Sequence, residues 1–270
     1  MKRIIKTLTL IALLCVAKPV AAIETHDSTS FATRYSAKVD YKIRKGLHVF
    51  VSEELRFEES MRFERSMSEV GLSYKLTDYL KAAVSYTAIG AYDSETDKVD
   101  DWRHRFTGEL TGSFKIGQWK FSLRESVQGT YKASEVNNYQ RPQTKWVLRS
   151  RLKASYGFRT VPIKTYAYIE PRLFFNGAKW SEEATGDQFG FAEFIGHKDM
   201  YVDRLRGAIG LEWKLNSRHA IDIYGLYDYI TDKEIDARKE GSLKGVVLKD
   251  PITVDKIHKI SVGIGYTFDF

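Results

Sequence analysis

The residues of this chain whose types could do chemistry are few. There are six histidines (His26, His48, His104, His197, His219 and His258), one cysteine (Cys15), and arginine pairs at Arg103 and Arg105, Arg149 and Arg151, Arg204 and Arg206. Nucleophilic hydrolysis needs a serine with a base and an orienting acid, and no histidine stands in such a motif. A zinc site needs His and Cys at ligand spacing, and none occurs. The sequence therefore points to no enzyme, no metal and no cofactor. The arginine pairs remain, and their chemistry is electrostatic: fixed positive charge that pairs with or attracts anions. A spacing of two puts both members of a pair on one face of a β-strand.

The elements that carry these pairs alternate with period two. From Arg34, Tyr35, Ala37, Val39, Tyr41 and Ile43 fall on one side, and Arg34, Ser36, Lys38, Asp40, Lys42 and Arg44 on the other. Helical spacing would scatter the charges around a cylinder. The same alternation marks Val70 to Leu76, Leu80 to Thr87, Arg105 to Ile116 and Trp119 to Gln128. Further strands run from Leu47 to Phe57, Thr144 to Tyr156, Ile163 to Phe175, Tyr201 to Leu215, His219 to Ile230 and Lys256 to Phe270. Eleven strands are recognisable in all.

Residues 1–22 combine a basic start (Lys2, Arg3, Lys6), an apolar run from Leu8 to Ala17 and the small-residue end Val20-Ala21-Ala22. That pattern predicts a cleavable signal peptide, since a run of about 10 apolar residues is half a spanning helix. Cys15 lies within it, behind Leu14, where lipid attachment would want a small residue. Residues 23–270 then lack thiols, and the formal charge of +7 falls to +3 with the loss of Lys2, Arg3, Lys6 and Lys18. No nucleic-acid binding is expected, because a dominant basic stripe is missing. No linker divides these residues, so one domain is expected.

After residue 22 no stretch has 18 uncharged apolar residues, so a membrane crossing would have to be made by a closed β-barrel. Three features favour one. Several segments are 11 to 16 residues long, enough to cross a bilayer at a tilt. Short joints (Lys45-Gly46, Thr77-Asp78, Gly117-Gln118, Asn216 to Arg218) alternate with long polar ones (Gly90 to Asp101, Lys132 to Gln143, Asn176 to Lys198, Thr231 to Asp255), as periplasmic turns alternate with extracellular loops. Aromatics fall at both ends of the strands: Tyr41, Tyr74, Phe114, Trp119, Tyr156 and Trp213 near the short turns, and Tyr35, Tyr86, Phe106, Tyr131, Trp146 and Tyr229 near the long loops.

The expectation is an all-β, transmembrane antiparallel up-and-down barrel of about 12 strands (10–12), located in the outer membrane in contact with its lipid. The first visible strand and the last both run toward the short turns, so antiparallel closure calls for a twelfth strand. Ile23 to Phe31 or Gly245 to Val254 could supply it. The final segment, with Ile260, Val262, Ile264, Tyr266, Phe268 and Phe270 in one phase, resembles the terminal strand by which outer-membrane barrels meet their assembly machinery, with Phe270 as the signal.

Strand-turn-strand units in which Glu and Arg recur are found at Val51-Ser-Glu-Glu-Leu-Arg-Phe57, Leu123-Arg-Glu-Ser-Val127 and Tyr168-Ile-Glu-Pro-Arg-Leu-Phe174. Through them the chain resembles an uncharacterised family of small Gram-negative outer-membrane β-barrel proteins, a domain of unknown function. The resemblance implies the barrel and supplies no activity; the second unit lacks the following arginine.

Glu53, Glu125 and Glu170 are the expected lumen partners of the arginine pairs, as acidic and basic columns on neighbouring strands. Glu53 and Glu125 stand in the apolar phase, so either a bulge turns them inward, which is the favoured expectation, or they lie near the membrane interface; Pro171 marks interrupted pairing beside Glu170. Two functions compete. The arginines could line a passive channel for small anionic solutes, or the same charges could interlock and occlude the lumen, leaving a structural or binding barrel whose loops contact a partner. Small residues of the polar phase (Ser36, Ala83, Ser85, Ser113, Ser122, Ser126, Ala208, Gly210, Gly263, Gly265) favour the channel. Oligomeric state is not legible.

Overall fold

In the computed structural model, residues 25–93, 98–181, 184, 192–239 and 246–270 are described; the expected signal segment, with Cys15, lies outside them. Eleven strands form one closed barrel: β1 (Thr25–Arg44), β2 (Leu47–Glu58), β3 (Phe63–Lys75), β4 (Leu80–Asp93), β5 (Lys98–Ile116), β6 (Trp119–Lys132), β7 (Thr144–Gly157), β8 (Ile163–Trp180), β9 (Phe194–Lys214), β10 (His219–Glu234) and β13 (Thr253–Asp269). Sequence neighbours pair antiparallel throughout. A short ribbon, β11 (Ala237–Lys239) with β12 (Val246–Leu248), lies in the connection between β10 and β13.

The barrel is all-β, and its strand number falls within the range expected from sequence. Its closure differs. β1 pairs with β13 in parallel, in unbroken register from Thr25 opposite Val254 to Asp40 opposite Asp269. The two candidates for a twelfth strand go elsewhere: residues from Thr25 form the start of β1 itself, and Val246–Leu248 belongs to the ribbon. Parity explains the seam, since two strands that both run toward the short turns can meet only in parallel.

The strands turn the usual burial pattern inside out. Apolar side chains of one phase are exposed on the outside, as with Ile209 (70%), Val84 (60%) and Ile169 (57%). Polar side chains of the other phase are enclosed: Arg34, Glu170, Asp203, Asp228 and Ser261 are each at most 3% exposed. An apolar surface running right around the wall exceeds what an ordinary soluble monomer shows. The tight turns at Gly46 and Gly117 use positive φ (82° and 60°), a conformation glycine adopts at no steric cost.

At the long-loop end the connections pack on one another. Trp180, Ala184, Ala192, Ala237 and Leu248 form a buried apolar cluster, with Tyr139, Phe194, Ile235, Val246 and Ile252 against it. Trp180 Nε1 donates to the Tyr139 carbonyl at 3.1 Å, Gln140 reaches Asp236 at 3.1 Å, and Ile252 N donates to the Ala184 carbonyl at 2.9 Å. Three connections therefore share one small core.

The parallel seam gives a direct test. Val39 lies opposite Phe268 on the outer face, and neighbouring strands about 4.8 Å apart are within disulfide reach. In a background lacking Cys15, the pair Val39→Cys and Phe268→Cys is expected to cross-link on oxidation while the barrel stays folded, read as a gel-mobility change. A twelfth strand between them would prevent the cross-link.

Candidate functional site

The enclosed charges gather into three nodes, each built on one carboxylate. Asp228 of β10 accepts a bidentate pair from Arg206 of β9 (2.7 and 2.9 Å). Arg34 of β1 approaches it at 3.4 Å and Arg204 at 3.9 Å. Glu170 of β8 takes three arginines: Arg149, with Nε at 2.9 Å, Arg151 at 2.6 Å and Arg124 at 3.0 Å. Arg124 also reaches Glu109 at 3.3 Å. Asp203 of β9 accepts both arms of Arg172 at 2.7 Å and the Lys145 ammonium at 2.8 Å. Two smaller pairs join them, Glu54 with Arg56 at 2.5 Å and Glu64 with Arg65 at 2.6 Å, the latter bound also by Lys259 at 3.0 Å.

The geometry follows from period two and tight turns. The turn after β9 sets Ala220 opposite Lys214, and the ladder then places Asp228 directly opposite Arg206. At Asp203 the ladder between β8 and β9 shifts register between Arg172 and Leu173. Pro171 has no N–H to donate, and Ser150 and Arg151 opposite it and Glu170 fall out of the ladder between β7 and β8.

Of the residues singled out from sequence, Arg149, Arg151 and Glu170 meet in one node, and Arg204 and Arg206 meet at Asp228. Arg103 and Arg105 share the inward phase of β5, and Arg105 Nε donates to Thr130 at 3.1 Å. Glu53 and Glu125 are corrections. The ladders pass both positions without a register shift, so each stays in phase with exposed neighbours, Val51 (56%) and Leu55 (36%) for Glu53, and Val127 (44%) for Glu125. No bulge turns them inward. Glu125 is instead held on the outer face by Ser150 Oγ at 2.5 Å. Sequence reasoning passed over Asp203, Asp228, Glu54, Arg34, Arg124 and Arg172.

On the short-turn side of the nodes, large aromatics lie over small residues. A Cβ at Gly210 would come within 2.5 Å of the Tyr166 ring, one at Gly263 within 2.2 Å of Tyr224, and one at Gly71 within 2.4 Å of Phe50. These inward glycines are seats for rings and do not widen the lumen. Tyr166 donates to Asp222 at 2.9 Å, and Lys153 and Arg151 stand over the Tyr166 and Tyr168 rings at 3.6 and 4.1 Å. A cavity of about 240 Å³, lined in part by Lys38, Glu54, Glu69 and Asp222, remains below the nodes.

Three histidines lie on the outer face with tyrosines: His104 between Tyr86 and Tyr131, His219 beside Tyr266, and His258 beside Tyr227 and Tyr229. His48 is bound to Asp40 at 2.6 Å. Among the described residues no group of three His, Cys, Asp or Glu is placed to hold a metal ion.

The model of a family described as "Protein of unknown function (DUF2490)" matches residues 32–239, spanning β1 to β11. The chain belongs to the DUF2490 family. No curated protein matches it. Among solved structures, one titled "Bacterial polysaccharide outer membrane secretin" aligns at 10% identity with a TM-score of 0.40, over 70% of this chain and 60% of that one. This DUF2490 chain thus spans about 60% of that protein's length.

Asp228→Asn leaves Arg206 and Arg34 enclosed without their anion, and breaking a buried pair from one side costs about 3–5 kcal/mol. Denaturant unfolding of the refolded barrel is expected to show a loss of that size. Gly263→Leu, forced against Tyr224, is expected to lower the unfolding midpoint. Gly108→Leu is expected to be tolerated, because a Cβ at outward-facing Gly108 meets nothing within 4 Å.

Proposed function

We propose that this DUF2490 protein is an outer-membrane barrel with an occluded lumen, whose working part is the packed surface at the long-loop end, where it contacts an extracellular partner. The observation that carries this reading is the burial of the central charges: Arg34 is 3% exposed, Asp228 0%, Glu170 3% and Arg206 7%. A conducting lumen keeps its charged lining in water, whereas these groups are paired with one another in the middle of the barrel.

Membrane placement is supported by the apolar outer wall and by strands of 12 to 21 residues, which are long enough to cross at a tilt. Short turns then face the periplasm and the packed connections face outward from the cell. Export by the segment 1–22 and capture of the final strand, with Phe270, by the barrel-assembly machinery belong to the same proposal. The apolar cluster around Trp180 and Phe194 supports a recognition role, because it gives three connections a fixed shape at the outer surface. Binding surfaces are held to geometry by such packing.

Planar-bilayer recording tests the reading. The wild-type barrel is expected to be silent, and the combined substitution of Arg34, Arg206 and Asp228 by serine is expected to open current steps in a barrel that still migrates as folded on an unheated gel. Steps of defined size from the wild type would overturn the occluded barrel in favour of an anion channel.

A further inference from the structure

Two carboxylates inside the barrel lack a cation. Asp228, Glu170, Asp203, Glu54 and Glu109 each have an arginine within 3.3 Å, and Glu212 has Lys164. Glu69 of β3 and Asp222 of β10 have no lysine, arginine or histidine within 4.0 Å among the described residues. Each is held by a hydroxyl instead. Ser52 donates to Glu69 at 3.3 Å, and Tyr166 donates to Asp222 at 2.9 Å. Neither hydroxyl carries a charge, so both carboxylates stay uncompensated.

The two line one cavity, the space of about 240 Å³ below the nodes, and the ladders show what brings them there. Glu69 stands between Ser52 and Thr87 on its neighbouring strands. Gly265 stands between Asp222 and Ser36, and Ser36 faces Glu54 across the next pair. Adjacent ladder positions on β10, β13, β1, β2, β3 and β4 thus form one curved stretch of inner wall. Thr87 lines the same cavity; it is 3% exposed and makes no hydrogen bond to a described residue. The lysine on the lining is committed elsewhere: Lys38 Nζ is 3.6 Å from Asp40 and 4.5 Å from the centre of the Phe50 ring.

An enclosed carboxylate without a counter-charge is costly, and so is a buried hydroxyl without a partner. An ammonium group relieves both, because it has three donors and no acceptor, and the lining offers it carboxylate and hydroxyl oxygens. A metal ion has no such place, since among the described residues no three His, Cys, Asp or Glu are set to hold one. Pockets for drug-sized molecules start at about 300 Å³, so the guest is smaller than that. We propose that the cavity binds a short aliphatic diamine, one ammonium at Glu69 and the other at Asp222. The site goes beyond the occluded-barrel reading and does not depend on it: amine binding and electrical silence are separate measurements, and either can fail alone.

The test is calorimetric titration of the refolded full-length barrel with 1,4-diaminobutane at neutral pH in sodium chloride buffer. Saturable binding of one diamine per chain is expected. Glu69→Gln and Asp222→Asn keep the shape and the hydroxyl contacts, and each is expected to weaken binding by about 10- to 100-fold, the worth of a hydrogen bond to a charged group. Glu109→Gln, at a carboxylate paired with Arg124 and away from the lining, is expected to bind as wild type does. Without amine, Glu69→Gln and Asp222→Asn are expected to unfold at no lower denaturant concentration than wild type, because each removes an uncompensated charge. Absence of saturable binding to the wild type would overturn the proposal. So would equal binding of neutral 1,4-butanediol, binding unchanged in both cavity variants, or a matching loss in Glu109→Gln.

Discussion

A sheet whose apolar residues all lie on one face and whose polar residues lie on the other has two edges of unpaired N–H and C=O groups, and closing it into a barrel removes both. In this chain closure decides nearly everything else. It commits one phase of every strand to the interior, and that phase carries arginines, lysines and carboxylates. Charges so enclosed are costly unless paired, and the interior is accordingly organised around Asp228, Glu170 and Asp203, each gripped by several cations. The parallel seam is tied into the same system. Arg34 on β1 reaches Asp228 on β10 and Ser261 on β13, both at 3.4 Å, so the junction of first and last strands is pinned from within by an ion pair and a hydrogen bond.

Much of this was legible in the sequence, and the failures have physical causes. All eleven barrel strands are visible as alternating segments, yet several extend beyond the alternation: the first begins at Thr25 where alternation begins at Arg34, and β9 begins at Phe194 where it begins at Tyr201. Above the apolar band the outer face of a strand is free to be polar, so Thr25-His-Asp-Ser-Thr-Ser30 keeps its backbone pairing with β13 while losing the hydrophobic signal. Closure is the exception: antiparallel pairing throughout calls for an even number of strands, and the barrel closes instead on the parallel pair β1 and β13. Nothing local in a strand's composition distinguishes a parallel seam from an antiparallel one.

The site is less legible in the sequence than the fold. Glu53 and Glu125 stand at matching depth to the arginine pairs of neighbouring strands, yet their phase puts them outside, and an undisturbed ladder has no means of turning a single side chain to the other face. The phase was the better guide. Asp228 could have been found by counting back from the tight turn at Asn216 to Arg218, which fixes the register of its hairpin and sets it opposite Arg206. Asp203 is harder, because a register shift beside it makes counting from the turn unreliable.

Small inward residues do not by themselves make volume. Glycine and alanine in the interior phase read as empty space when each strand is considered alone. Across a barrel wall, a missing side chain is as often room for a neighbour's large one, and here Gly210, Gly263 and Gly71 lie beneath Tyr166, Tyr224 and Phe50. Barrel diameter grows with strand number: about eight strands leave an interior just wide enough for side chains, and sixteen or more leave an aqueous channel. Eleven falls between these limits, where strand count cannot decide between a pore and a plug. What decides is the size of the inward side chains, and in this barrel those are arginine, tyrosine and phenylalanine, set so that the small residues of one strand receive the large residues of the next.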